Sequence, residues 1–258
     1  MYSSIFDGFF FSAKRKSYLR ESFILSRKYT KIMQRKYHGD SEEFSLNLND
    51  AEQKNANYVY RHHRINKLLG CWRWKGMWQF RDKVAPIVFN TKLRGIDFGG
   101  ANGPVSLETT VVDFADKDIF GRLVEFRSID EVPYQLDFVF SSHTLEHIGN
   151  LDEIFIQFQE ALKADGILLL HLPAYSCKRW LPGIHKNSKF NDHKWAFALA
   201  SDENCKPTTR GFYFIDQELS RYFVIQDAQY VGDNSIFIIA KNTQNAPNTH
   251  TRISDQFA

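Results

Sequence analysis

Cysteine is scarce: Cys71, Cys177 and Cys205 are the only three in 258 residues, and they form no CxxC pair and no Cys/His metal spacing. That excludes a disulfide framework and a zinc module, so no metal is expected and a reducing, cytoplasmic setting fits. Long apolar runs are also missing. None approaches the roughly 18 residues of a spanning helix, which leaves peripheral contact as the only membrane association to expect. The opening MYSSIFDGFFF is broken by Asp7 and Gly8 and has neither a leading basic region nor a small-residue cleavage site, so it does not read as a signal peptide. No internal repeat is visible. What is present is 43% apolar and 24% charged, the composition of a folded globular chain long enough for one large domain, or one standard domain with an appendage.

The net charge of +3 hides an asymmetry. Up to residue 90 there are 17 Lys and Arg against 8 Asp and Glu, and beyond it 16 against 22, so the halves carry +9 and −6. A basic front makes a polyanionic partner or substrate reasonable, although a solvated helical face is the plainer explanation. Residues 12–37 hold nine Lys or Arg among Tyr18, Phe23, Ile24, Tyr29, Ile32 and Met33 at broadly helical spacing. The polar HGDSEEFSLNLNDAEQKN that follows reads as a loop, and YVYRHHRINKLLG as a helix ended by Gly70. CWRWKGMWQFRDKVAP interleaves Trp72, Trp74 and Trp78 with Arg73, Lys75 and Arg81 and announces no element.

From residue 93 the pattern changes to short apolar runs closed by Gly or Asp and separated by helical or polar pieces, the grammar of an α/β sheet. LRGIDF, TTVVDF, LVEF, LDFVFS and GILLLHL are the strand candidates. Between the last two, Leu151, Ile154, Phe155, Phe158, Ala161 and Leu162 follow the spacing of one helical face. Asn150 with Glu153 suits the start of that helix, and Gly166 after Asp165 its left-handed stop. YFVIQDAQYV and SIFIIAKN, joined by GDN, read as an antiparallel hairpin.

Four pieces carry chemistry. In GIDFGGANGP a strand ends in Asp97 and enters Gly99, Gly100, Ala101 and Gly103, where glycine lets the backbone approach a ligand at the carboxyl edge of a parallel sheet. VVDF ends in Asp113, followed by Phe114, where a carboxylate can accept from a ribose diol. LDFVFSSHTLEHIGN ends a strand in Ser141, Ser142 and His143 and continues to Glu146 and His147. ALKADGILLLHLP places a helix, a turn and a buried strand in succession.

In this order the pieces resemble the class I S-adenosylmethionine-dependent methyltransferases, over roughly residues 93–241. The resemblance implies an α/β Rossmann-like sheet, mostly parallel with the last strand antiparallel, and S-adenosylmethionine as cofactor. Asp97, Gly99 and Gly103 match the family's D-x-G-x-G-x-G loop, with Ala101 in place of the middle glycine. Two departures stand out. Only about a dozen residues separate Asp97 from the next strand, so the early helices must be short or absent. At the position of the usual adenine-contacting acid stands Ser128, which leaves Ser128, Ile129 and Asp130 as candidates. The implied organisation is a basic, largely helical extension or cap over 1–90, a catalytic domain over 91–241 with a lid-like insertion at 175–210, and a flexible tail over 242–258.

Methyl transfer to O or N needs donor and acceptor held in line and, for many acceptors, a base, most naturally histidine. His143 is the first candidate, with His147, His193, His171 and His185 as alternatives; each could equally be a satisfied structural histidine. The substrate side is expected from His143, Glu146, Tyr175, Lys178, Arg179, His185, His193 and Trp195. SSHT stands where exocyclic-amine methyltransferases carry [DNS]-P-P-[YF], and no Pro-Cys run follows the fourth strand, so adenine-N6 and carbon-5 pyrimidine methylation are disfavoured. The SSHxLEHI run is similar to enzymes of polysaccharide modification, which points to a small anionic acceptor: a sugar, sugar nucleotide or glycan precursor. The alternatives are an RNA methyltransferase or a catalytically silent module docking through its basic front on a membrane or nucleic acid. A nicotinamide dehydrogenase is disfavoured because the Pro104 turn leaves no room for G-x-G-x-x-G to open a helix.

Overall fold

In the computed structural model, which describes residues 49–56, 77–178, 181–182, 192–206, 211–232 and 234–243 with the Trp78 side chain excepted, the expected runs become strands. They are β1 (Gly95–Phe98), β2 (Thr110–Val112), β3 (Leu136–Ser142), β4 (Leu162–Pro173), β7 (Phe223–Val231) and β8 (Ser235–Asn242). These form one sheet in the order β2-β1-β3-β4-β8-β7, in which β1 to β4 are parallel and β8 runs antiparallel to both of its neighbours. Two further strands, β5 (Ala196–Ala198) and β6 (Phe212–Phe214), pair in parallel beside it. The basic segment 12–37, the helix expected over 58–70, Trp72, Trp74, Arg179, Trp180, His185, Lys189 and the tail from 244 on lie outside the described residues. Among the described residues, no helix is long and apolar enough to cross a membrane.

Burial on both faces explains why β3 and β4 read as nearly unbroken apolar runs. On one face helix α2 (Leu151–Ala161) buries Leu151, Ile154, Phe155 and Phe158, and the Phe158 ring meets Phe98 edge-on at 5.3 Å. Side chains alternate along β8, so Ile236, Ile238 and Ala240 join that core while Phe237 faces the other way. There it stacks at 4.6 Å on Phe80, from the turn that leads into helix α1 (Arg81–Val88). Helix α3 (Ile215–Leu219) closes the end next to β7 and contributes Ile215 and Leu219.

Four expectations need correction. LVEF is not a strand: Val124 and Phe126 pack inward, but the segment makes only the isolated bridges Val112↔Phe126 and Lys117↔Leu123, too few to form a ladder. The polar 38–55 stretch is helical from residue 50, because Asn49 accepts from the Ala51 and Glu52 amides while Glu52 accepts from the Asn49 amide, a reciprocal cap. After α2 the left-handed residue is Asp165 (φ 64), not Gly166. Glycine serves for space instead, since a Cβ at Gly166 would lie 2.9 Å from the Lys163 carbonyl oxygen. The segment expected as a lid is partly core: Phe197 is fully buried and bridges to Ala174 beside β4.

The early crossover is as short as expected. Residues 99–109 join parallel β1 to β2 without a helix, and residues 50–56 dock on this loop: Asn55 accepts from the Leu107 amide and donates to Glu108 at 2.9 Å. The cap of α2 is also as expected, with Asn150 accepting from the Glu153 amide at 3.3 Å. Replacing Asn150 with Ala should cost about 1 kcal/mol of unfolding free energy, and Phe158→Ala about 3–5 kcal/mol, both read from urea denaturation.

Candidate active site

At the carboxyl end of β1 the chain turns back on a buried carboxylate. Asp97 has no exposed surface, and its Oδ2 accepts from the Val105 amide at 2.7 Å, drawing the loop over the strand end. Gly100 rests directly on this group, where an added Cβ would come 2.5 Å from Asp97 Cγ. Gly99 takes φ +75, and a Cβ there would fall 2.1 Å from Thr144 Oγ1. The tip of the next strand completes the loop: Asp113 accepts the Ala101 amide on Oδ2 and the Ala115 amide on Oδ1, each at 3.0 Å. A carboxylate has about four acceptor positions, so room remains on Asp113 for two further donors. The adjoining Phe114 ring is 85% exposed.

Thr144 leads from the glycine loop to a second group of residues. β3 ends at Ser142, and His143 follows in the left-handed region (φ 51), a rare conformation for a side chain of this kind. Its Nδ1 lies 3.5 Å from Glu146 Oε1 and its Nε2 3.2 Å from Ser235 Oγ. The same Glu146 oxygen is 3.9 Å from His147 Nε2 and 3.7 Å from His193 Nε2. Glu146 is buried, and its Oε2 has no hydrogen-bond partner among the described residues. Burial works against its charge most strongly, yet the hydrogen bond from His143 and the charges of His143, His193 and His147 hold its carboxyl below the usual range. Backbone pairing brings His193 in: the Lys194 amide donates to the Glu146 carbonyl at 2.7 Å, and the Trp195 indole N–H to the Ile148 carbonyl at 2.6 Å.

A glycine loop and a carboxylate ringed by imidazoles are thus adjacent, meeting where Gly99 faces Thr144. A family model described as a methyltransferase domain matches residues 60–223 of the sequence. The chain belongs to this methyltransferase family. A search of curated proteins finds no match. Among solved structures, a chain from the Haloferax volcanii complex of the Trm112 methyltransferase activator with a methyltransferase is similar at 9% identity and TM-score 0.48, covering 73% of this chain and 97% of that one. A methyltransferase of Thermotoga maritima is similar at 13% identity and TM-score 0.46, covering 72% and 99%. The N-methyltransferase NodS of Bradyrhizobium japonicum, in complex with S-adenosyl-L-homocysteine, is similar at 12% identity and TM-score 0.38, covering 58% and 78%. Membership in the family rests on the sequence match and not on these distant likenesses.

The methyltransferase takes S-adenosylmethionine as its donor, and the residues at the sheet edge fit it. Gly99 and Gly100 let the loop pack directly on Thr144 and Asp97 at the strand end, Asp113 keeps acceptor capacity, and Phe114 offers an exposed ring. Other sequence candidates have contacts within the protein. Ser141 is buried and donates to the Phe98 carbonyl across β3 and β1, and Ile129 belongs to the main core. Asp130 is held below the usual carboxylate range, chiefly by a hydrogen bond from Ser128. His171 is fully buried, with Nδ1 3.0 Å from Ser142 Oγ.

Of the residues expected on the acceptor side, His143, Glu146, His147 and His193 come together, whereas Tyr175 and Trp195 have partners elsewhere. The Tyr175 hydroxyl donates to Asp202 at 2.8 Å, a carboxylate partner that, with burial, pushes it up to about 12. Trp195 packs edge-on against Tyr213 at 5.2 Å. Lys178 is exposed, and Arg179 and His185 lie outside the described residues. Ser235 and the Thr144 contact with Gly99 were not singled out from the sequence. Ser235 has no local signature, since only the antiparallel register Pro173↔Ser235 brings it to the site. Gly99→Ala should displace the loop and abolish the thermal shift produced by S-adenosylhomocysteine; adding Thr144→Ala should restore part of it, leaving roughly 1 kcal/mol of backbone strain. Differential scanning fluorimetry of the single and double variants checks both effects.

Proposed function

We propose that the protein transfers the methyl group of S-adenosylmethionine to an oxygen or nitrogen of a small anionic metabolite, a sugar, sugar nucleotide or glycan precursor. The observation that carries this reading is the adjacency of glycine loop and cluster: Gly99 packs on Thr144, only two residues before Glu146. The donor supplies a methyl on a sulfonium, so one S–C bond breaks as one O–C or N–C bond forms. Gly99, Gly100, Ala101 and Gly103 would hold its amino-acid end beside Asp97, Asp113 would take the ribose hydroxyls, and Phe114 would stack on adenine, with Ser128, Ile129 and Asp130 as further candidates for the adenine.

His143 is the residue we assign to the acceptor's proton. A hydrogen bond to the Glu146 carboxylate orients its ring and stabilises the cation formed, the division of labour that serves a histidine base elsewhere in enzyme chemistry. His147 and His193 line the same carboxylate, and the burial of Glu146 and His193 strengthens their interaction. Support for an anionic acceptor comes from charge: the excess of Lys and Arg before residue 90 and the exposed Lys178 and Lys194. We read the catalytic body as beginning before residue 90, since Met77, Phe80, Val84 and Phe89 are buried in it.

S-adenosylhomocysteine should raise the melting temperature of the wild-type protein and NAD should not, because a ligand bound only by the native state stabilises by mass action. Asp113→Asn should lose that response. His143→Ala should keep it while turnover on nucleotide sugars falls by about 100-fold or more. Unchanged turnover in the His143 variant would move the proton acceptor elsewhere.

A further inference from the structure

Glu146, His147 and His193 are more than a set of ion pairs. Each presents one donor atom, and the three atoms lie within 4.8 Å of one another. Bond lengths of about 2.0–2.1 Å to a bound ion imply donor separations of about 3–3.4 Å, so the 3.7 and 3.9 Å contacts to Glu146 need only a small closure. Two features single the cluster out. The buried Glu146 carboxylate keeps Oε2 without a hydrogen-bond partner among the described residues, an expensive arrangement unless a cation takes it. His147 is also backed by a second carboxylate: Asp192 Oδ1 stands 2.5 Å from Nδ1, close but not aligned as a hydrogen bond. Asp192 lies on the Nδ1 side of the ring, which leaves Nε2, the nitrogen that faces Glu146, as the atom His147 would offer to a cation.

We propose that Glu146, His147 and His193 bind a divalent first-row transition ion, such as Zn²⁺ or Mn²⁺, with Asp192 orienting His147 from behind. One carboxylate and two imidazoles suit such ions better than Mg²⁺ or Ca²⁺, which favour all-oxygen surroundings. Three protein donors leave positions open, as catalytic metal sites do. His143, whose Nε2 already faces Ser235, stays a hydrogen-bond partner of the carboxylate and not a ligand. The role of the ion, unlike its binding, rests on the methyl-transfer reading: it holds an acceptor hydroxyl oxygen, the O–C bond forms as the S–C bond breaks, and the hydroxyl proton passes to His143. The acceptor atom is then oxygen. No sequence spacing announced this site, since His193 lies 46 positions beyond His147.

The test uses untagged full-length protein stripped with EDTA and dialysed, then titrated calorimetrically with zinc chloride and with manganese chloride, with retained metal counted by elemental analysis. About one ion per chain is expected for wild type. Glu146→Gln and His193→Ala should each weaken binding by tenfold or more, and the exposed Asp192→Asn, which carries little risk to folding, by about tenfold. Asp113→Asn should bind metal like wild type. A wild-type protein that retains no stoichiometric ion overturns the proposal, as do Glu146, His193 and Asp192 variants that bind like wild type. The S-adenosylhomocysteine shift is read on the same samples. If it persists in Glu146→Gln while metal is lost, the loss is local and supports the site; if it is missing from wild type while metal binding follows the three residues, the donor reading falls and the site stands.

Discussion

A buried carboxylate has to be surrounded by donors, and at the end of β1 that requirement shapes the whole edge of the sheet. Asp97 draws the Val105 amide inward, Gly100 must lack a side chain to rest on it, and the loop thereby spans two parallel strands without a crossover helix. The backbone amides that a helix would have satisfied find side-chain acceptors instead: Asp113 takes Ala101 and Ala115, Ser106 takes Thr109, and Asn55 takes Leu107. The economy of the loop therefore depends on residues 50–56, far upstream in sequence. What would be a helix in a longer chain is here a network of short polar contacts.

The second buried carboxylate, Glu146, organises the segment after β3 in the same way but with imidazoles in place of amides. Its environment combines the strongest opposition to charge, complete burial, with enough positive and hydrogen-bonding character to keep it ionised. The loop over Asp97 and the segment that carries His143 and Glu146 meet where Gly99 faces Thr144. The left-handed His143 backbone belongs to this junction, held by the His171 carbonyl accepting its amide at 2.8 Å.

Much of the fold was legible because local rules and tertiary packing agree. The helical spacing from Leu151 to Phe158 meets a cap at Asn150, and the apolar run of β4 needs two covered faces and has them. Where they disagree the reading failed. LVEF has strand composition and an inward face but only isolated bridges to its neighbours, and Gly166 looked like a left-handed stop although Asp165 adopts that conformation. The Asn49 to Glu52 cap was readable and was passed over inside a polar stretch.

By itself the sequence determined the α/β alternation, the glycine loop between two strand-end acids and the set of histidines able to handle a proton, because periodicity, glycine and residue chemistry act within a few positions of the chain. Only the tertiary structure decided which histidines share a carboxylate. His171 pairs with Ser142 inside the core, while His193 arrives beside Glu146 through the Lys194 amide. Nothing in a linear spacing encodes that choice, since it follows from how the segment after β4 folds back to satisfy backbone groups at the strand ends.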